Sequence, residues 1–139
     1  MKSKVMTIAN HLVKQGLSRS AAMVQAWITV KLRHIVTKAA GVTHGNRQML
    51  LHRLAAYNPE QVSIELHRER ENRFDSNAVK VVAAVSGKGK AALGYLNRTL
   101  AAVIAPLMDK GKRIVSTFRA VTGGESLHLT YGLSFELTV

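Results

Sequence analysis

Residues 66–81 read LHRERENRFDSNAVKV and join the ends of two predicted strands through a polar loop. Residues 62–66 alternate between apolar and polar side chains, which predicts a strand with one buried face. Residues 72–77 contain Asn, Asp and Ser, which favour turns over regular structure. The Val-rich segment 78–85 then predicts a second strand. Two strands joined by a polar loop are typical of an antiparallel pair.

Shorter patterns surround this pair on both sides. Alternating or Val-rich stretches predict further strands at 34–42, 91–96, 114–120 and 127–137, with a hairpin loop at 86–90. A short helix is predicted at 46–54. A second begins after the capping residue Asn97 and runs towards Gly111, and Pro106 is expected to kink or shorten it. This order predicts a small, strongly curved antiparallel sheet or barrel with one or two helices.

The segment 66–81 also resembles the signature of the HIRAN domain family, which reads roughly L-x-R-E-x-x-N-x-[YF]-D-x-N-A-[IV]-x-V. The family pattern continues with a hairpin, a G-[YH]-L strand and a helix rich in Leu and Ala, and residues 94–101 follow that order. Residues 41–48 resemble its opening strand and turn. The resemblance covers about 35–139 and implies an α+β, mainly β fold, a small OB/SH3-like antiparallel barrel.

The resemblance also implies a function. The best-understood HIRAN domains stand at the front of fork-remodelling ATPases of the SWI/SNF type and bind the 3′-hydroxyl end of single-stranded DNA. The present sequence contains no ATPase motor and is similar to the small stand-alone bacterial or phage members. We therefore expect a non-enzymatic module that binds nucleic acid, most specifically single-stranded DNA. A narrower expectation is that it binds the 3′-hydroxyl end of the strand. Such a module would act in DNA repair or replication.

Nine residues are candidates for the binding site, and the resemblance implies roles for five of them. Asp75 stands at the position of the carboxylate that binds the terminal hydroxyl. Phe74 is the aromatic residue beside it, and Asn72 supplies the loop amide. Tyr95 lies between the Gly and Leu of the G-[YH]-L strand, and His44 stands where a stacking aromatic of the first strand is expected. The phosphate-binding candidates are Arg47, Arg68, Arg70 and Arg73.

Two departures from the family pattern affect the loop. Pro is usual where Arg70 and Arg73 stand, so the loop is less restrained and carries two extra cations. Phe74 lacks the hydroxyl that a Tyr would offer. These changes fall beside Asp75, the residue expected to bind the terminal hydroxyl. The resemblance therefore supports binding of single strands in general more strongly than recognition of their 3′ end.

Every candidate also has a purely structural interpretation. Asp75 could cap a turn by accepting from backbone N–H groups, as could Asn77. Phe74 could fill the core, and Tyr95 could lie at the edge of the core. The arginines could form a solvated rim that is paired with the acids of residues 69–71.

The positive charge is concentrated in the first half of the chain. The 139 residues carry 20 Lys and Arg against 8 Asp and Glu, a net charge of +12. Residues 1–59 contain nine of the cations and no acid, whereas 60–139 contain eleven cations and all eight acids. Such a field attracts polyanions, of which nucleic acid is the first candidate and an anionic membrane surface the second.

The segment 1–34 lies outside the family pattern and forms a separate predicted unit. Apolar spacing around Gly16 predicts two short helices, and together they make a basic helical hairpin. Such a hairpin could add affinity for DNA. Alternatively, the protein is a structural or interaction protein that forms a homo-oligomer or docks a partner through residues 5–33, which include Trp27. A third reading is a helix-turn-helix that reads duplex DNA with Arg19.

Several function classes are disfavoured by composition and motifs. The absence of Cys excludes disulfides, thiolate metal sites and thiol nucleophiles, and is compatible with a reducing, cytoplasmic setting. The six His residues show no metal-ligand spacing, and the Gly- and Lys-rich segment 86–90 lacks the order of a P-loop. No apolar run approaches 18 residues. We expect no catalytic residue, cofactor, metal ion or membrane span.

Overall fold

The computed structural model describes residues 10–11, 34–124 and 129–139. The elements in chain order are β1 (His34–Lys38), α1 (Arg47–Leu54), a 3₁₀ turn (Pro59–Gln61), β2 (Val62–Arg68), β3 (Val79–Val85), β4 (Gly89–Tyr95), α2 (Arg98–Asp109), β5 (Val115–Thr122) and β6 (Gly132–Thr138). The basic hairpin predicted for 1–34 falls outside the described residues, apart from 10–11 and from His34, which begins β1. The functions suggested for it remain predictions.

The described strands form two antiparallel sheets of three strands, in the orders β1-β6-β5 and β2-β3-β4. The sheets adjoin at two places. Ala40, just beyond β1, pairs with Tyr95 at the end of β4 through two backbone hydrogen bonds of 2.7 and 2.9 Å. On the opposite side, the Ser116 hydroxyl of β5 donates to the Ile64 carbonyl of β2 at 2.6 Å. The expected mainly β antiparallel fold with two short helices is confirmed, although no continuous ladder closes the described strands into a barrel.

One hydrophobic core lies between the sheets and the helices. On β6, the predicted alternation is confirmed, because Leu133, Phe135 and Leu137 are each 0% exposed. Both helices add buried side chains to the same core, among them Leu51 and Ile104. Full burial of such a side chain contributes about 1.5–3 kcal/mol to folding. On β6, the parity of the apolar residues therefore matches the buried face.

Several predicted element boundaries differ from the structure. The last strand begins at Gly132 rather than near 127, and Leu129 is 80% exposed. The first strand ends at Lys38 rather than at 42, and β4 begins at Gly89, inside the predicted hairpin loop. The second helix passes Pro106 and ends at Asp109. Asn97 caps this helix as predicted, since its side chain accepts from the Leu100 N–H at 2.9 Å.

Gly94 allows the two sheets to approach each other at the Ala40–Tyr95 pair. A Cβ atom at this position would collide with the carbonyl oxygen of Ala40 and lie 3.2 Å from the Cβ of Ala39. A residue without a side chain is therefore needed where the two backbones meet. This approach brings the segment that follows β1 next to Tyr95 and places both beside the β2–β3 loop.

Candidate nucleic-acid interface

The loop between β2 and β3 is held in shape by its own side chains. The Asn72 side-chain oxygen accepts from the backbone N–H of Phe74 at 2.9 Å and of Asp75 at 3.1 Å. One Asp75 carboxylate oxygen, Oδ1, accepts from the Asn77 N–H at 2.9 Å. Asp75 therefore does cap a turn, as its structural interpretation predicted. These bonds restrain a loop in which the prolines of the family pattern are replaced by arginines.

Phe74 projects its ring into solvent from this fixed backbone. Its side chain is 85% exposed. Its carbonyl oxygen accepts from an Arg98 guanidinium N–H at 2.7 Å. The core-filling interpretation of Phe74 is therefore wrong. An exposed aromatic ring on a restrained loop is available to stack on a base.

A cavity of about 260 Å³ opens beside this ring, and we call it the loop cavity. Three parts of the chain line it: the segment after β1, the β2–β3 loop, and the link from β4 to α2. Six of the nine predicted site residues are among its walls. The complete lining is Ala40, Gly41, His44, Arg47, Asn72, Phe74, Asp75, Ala78, Tyr95, Leu96 and Arg98.

Tyr95 forms the inner wall of the loop cavity and is half-buried there. Its hydroxyl donates to a Glu69 carboxylate oxygen at 2.8 Å. The Arg47 guanidinium carbon lies 5.6 Å from the centre of the Tyr95 ring, a cation–π distance. Burial, and secondly the hydrogen bond to the Glu69 carboxylate, raise the pKa of the Tyr95 hydroxyl. Tyr95 therefore remains a neutral hydrogen-bond donor, with Arg47 over one face of its ring.

Glu69 links the loop to the sheet beneath the cavity. Besides the Tyr95 hydroxyl, its carboxylate accepts from the Asn72 side-chain amide at 3.1 Å and lies 3.3 Å from the Lys80 ammonium. Partial burial raises the pKa of Glu69, but the hydrogen bonds from Asn72, Tyr95 and Lys80 together hold it below its ordinary value. Glu69 is thus an anion that orients Tyr95 and Asn72.

Arg68 and Arg70 do not line the loop cavity. Both contact the carboxylate of Asp109 at the end of α2, at 3.2 Å from Arg68 and 3.1 Å from Arg70. The sequence predicted that these arginines pair with Glu69 and Glu71. This prediction is wrong for Arg68 and Arg70, because their partner is Asp109. Desolvation raises the pKa of Asp109, but the hydrogen bonds and charges of the two arginines together outweigh it and hold this pKa below its ordinary value.

Two other predicted residues lie at the surface. Arg73 is exposed in the loop and is not part of the cavity lining. His44 is exposed and does line the cavity. It stands in the turn between β1 and α1 rather than in the first strand, where the resemblance placed it. The phosphate-binding roles of Arg68, Arg70 and Arg73 stay predictions.

Arg98 is a cavity residue that the sequence reasoning missed. Its side chain is largely exposed, and its guanidinium Nε lies 3.9 Å from the second Asp75 carboxylate oxygen, Oδ2. A signal for it was present, because Arg98 directly follows the helix cap Asn97. The N-terminal end of a helix dipole is positive, so a cation at that end is repelled. A cation at the C-terminal end is stabilised instead. Such a placement favours a role outside helix stability.

The described residues offer no evident metal chemistry. Among them, no three His, Asp or Glu side chains lie close enough to hold a metal ion. Within the same residues, no helix has the length and apolar character needed to cross a membrane. The lining of the loop cavity contains hydrogen-bonding, aromatic and cationic side chains, among them Asn72, Phe74 and Arg98.

Comparison with known families identifies the domain. The family model of the HIRAN domain matches residues 32–139. The chain belongs to the HIRAN domain family. HIRAN domains are DNA-binding modules, and this membership supports nucleic acid as the partner of the present domain. A comparison with curated proteins gives no match.

One solved structure supports this assignment at the level of the fold, and a second is similar to part of the chain. The HIRAN domain of human HLTF superposes with a TM-score of 0.52 at 19% sequence identity, over 76% of this chain and 74% of that chain. A protein from Lactobacillus plantarum superposes with a TM-score of 0.49 at 22% identity, over 78% of this chain and 94% of that chain. The similarity to the human domain shows a shared fold.

Proposed function

We propose that this HIRAN domain binds single-stranded DNA and holds the 3′ end of the strand in the loop cavity. The observation that supports this most directly is the exposed ring of Phe74 beside the carboxylate of Asp75. Aromatic stacking on a base contributes about 1–3 kcal/mol to binding of single strands, with little dependence on sequence.

Asp75 is suited to accept a hydrogen bond from a terminal hydroxyl. Its Oδ1 is used by the Asn77 N–H, whereas within the described part of the chain Oδ2 has only the guanidinium of Arg98 nearby, at 3.9 Å. A hydroxyl can donate to this second oxygen. A terminal phosphate cannot, and its negative charge would be repelled by the carboxylate at short range.

The size and charge of the cavity fit one terminal nucleotide. Its volume of about 260 Å³ is close to the lower end of pockets that hold small ligands, about 300 Å³. Arg47 and Arg98 stand at its walls and supply cations for the adjoining phosphates. The loop cavity is therefore suited to the last nucleotide of a strand. The nucleotides before it would lie along the surface of the domain.

The decisive experiment compares two labelled strands that differ only at the 3′ terminus, one with a hydroxyl and one with a phosphate. Fluorescence anisotropy at low salt is expected to show tighter binding of the hydroxyl strand. Asp75→Asn retains an Oδ1 acceptor for the turn but replaces the anionic oxygen by a donor, so it should abolish most of this preference.

The matched control is Glu60→Gln, which makes the same change of charge at an exposed position away from the cavity. It should leave the preference intact. Equal binding of both strands by the unmodified protein would refute recognition of the 3′ end. Absence of binding to either strand would refute the whole proposal.

A further inference from the structure

A second cavity, of about 220 Å³, lies between α1 and the β3–β4 hairpin. We call it the hairpin cavity. Its floor is apolar, and the turn of the hairpin forms one wall. The lining residues are Leu50, Arg53, Leu54, Tyr57, Ala83, Val85, Lys88, Gly89, Lys90, Ala91 and Leu93.

All charged residues that line the hairpin cavity are cations, namely Arg53, Lys88 and Lys90. Glu65 of β2 pairs with Lys90 at 2.9 Å from outside the lining and offsets part of that charge. The half-buried ring of Tyr57 stands among these cations. An aromatic ring within a cationic rim is the combination that binds bases and phosphates of single strands.

The two cavities lie at opposite ends of the same pair of elements. Arg47 at the start of α1 lines the loop cavity, whereas Arg53 near its end lines the hairpin cavity. On β4 the order is reversed, with Tyr95 at the loop cavity and Lys90 at the hairpin cavity. Six residues of helix span about 9 Å, and five residues of strand span about 17 Å. The cavities are therefore separated by a distance that a few nucleotides can cover.

We propose that the hairpin cavity is a second binding site for single-stranded nucleic acid, occupied by the segment 5′ of the nucleotide in the loop cavity. The strand runs along the seam between α1 and β4, a base stacks on Tyr57, and the three cations hold phosphates. The direction of the strand depends on the proposed function, because that function places the 3′ end in the loop cavity. The existence of the second site does not depend on it. A single OB-type domain covers roughly 4–16 nucleotides, so two sites on one strand are within its range.

The test removes the three cations together, as Arg53→Ala, Lys88→Ala and Lys90→Ala. Binding of 3′-hydroxyl strands of roughly 12 and roughly 3 nucleotides is measured by anisotropy over a range of salt. For the long strand, the slope of log K against log salt should become shallower by about 2, since each phosphate contact contributes about 0.7. Affinity for the long strand should fall at least about ten-fold at low salt, and affinity for the short strand should not change.

The matched control removes three exposed cations that follow α2, as Lys110→Ala, Lys112→Ala and Arg113→Ala. It alters the net charge equally and should change the salt slope for the long strand little. If both triple variants weaken binding equally, general attraction rather than a site explains the effect, and the proposal is overturned. Equal losses for long and short strands would overturn it as well.

Tyr57→Leu provides an independent measurement, because leucine keeps apolar packing but removes the aromatic ring. It should weaken binding of the long strand by about 5- to 150-fold. Unchanged binding by both this variant and the cation variant would overturn the second site. If Asp75→Asn has no effect on end preference while these variants still weaken long strands, the hairpin cavity stands and end recognition alone fails.

Discussion

Replacement of Phe74 by Ala is expected to weaken DNA binding while leaving the fold almost unchanged. The side chain is 85% exposed, so only a small part of its surface is removed from water. Full burial of a Phe side chain contributes about 1.5–3 kcal/mol to folding, and the buried fraction here corresponds to about 0.2–0.5 kcal/mol. Urea denaturation should therefore give nearly the same free energy of unfolding for the variant and the unmodified protein.

The loss in binding should be much larger than the loss in stability. A base stacked on an aromatic side chain contributes about 1–3 kcal/mol, which corresponds to a decrease in affinity of about 5- to 150-fold. Anisotropy with a labelled 3′-hydroxyl strand measures this directly. Phe74→Leu keeps an apolar side chain but lacks the π-face, so its affinity should resemble that of the Ala variant rather than that of the unmodified protein.

Two further substitutions calibrate this result. Leu129→Ala truncates another apolar side chain that is 80% exposed but does not line the loop cavity, and it should leave both properties unchanged. Phe135→Ala truncates a side chain that is 0% exposed and should lower the free energy of unfolding by about 3–5 kcal/mol. A Phe74→Ala protein that binds within about two-fold of the unmodified protein would refute stacking on this ring.

Two other predictions concern stability. Gly94→Ala should lower the free energy of unfolding by about 1–3 kcal/mol, because the new Cβ meets the carbonyl of Ala40; an unchanged urea midpoint would contradict this. Desolvation raises the pKa of Asp109, but the hydrogen bonds and charges of Arg68 and Arg70 together hold it below its ordinary value of 3.8. A depressed carboxyl pKa adds stability above the unfolded-state value, and this stability is lost as the pH falls through the folded-state value. Asp109→Asn should therefore flatten the decrease in stability on acidification below about pH 4, and parallel curves for the two proteins would show that the ion pairs do not stabilise the fold.

The extent of β6 shows what sequence periodicity could and could not predict. The parity of apolar residues correctly identified its buried face, because alternation follows from strand geometry alone. The same parity continues back to Leu127, yet the strand begins at Gly132. Its partners determine this limit, since β5 ends at Thr122 opposite Gly132 and β1 ends at Lys38 opposite Ser134. Alternation within one strand contains no information on where its neighbours end.

The candidate site was predictable where its residues are close in sequence. Asn72, Phe74 and Asp75 lie in one short loop, so the motif that contains them also brings them together. Arg68 and Arg70 behaved differently, because their partner Asp109 lies 41 and 39 residues further along the chain. A contact over that separation depends on how α2 packs against the sheet, which no local pattern of charges reveals.

The side chain of Asn72 has a consequence for how fast a strand can bind. Its two accepted hydrogen bonds and its bond to Glu69 restrain the backbone of the β2–β3 loop. A loop that is already ordered gives up little conformational entropy when a ligand arrives. No slow rearrangement then separates the first collision from the bound state, and the association rate is governed by diffusion and the positive field of the domain. Under the proposed function, the hydrogen bonds of the Asn72 amide therefore let a strand end bind at a rate set by encounter rather than by folding of the loop.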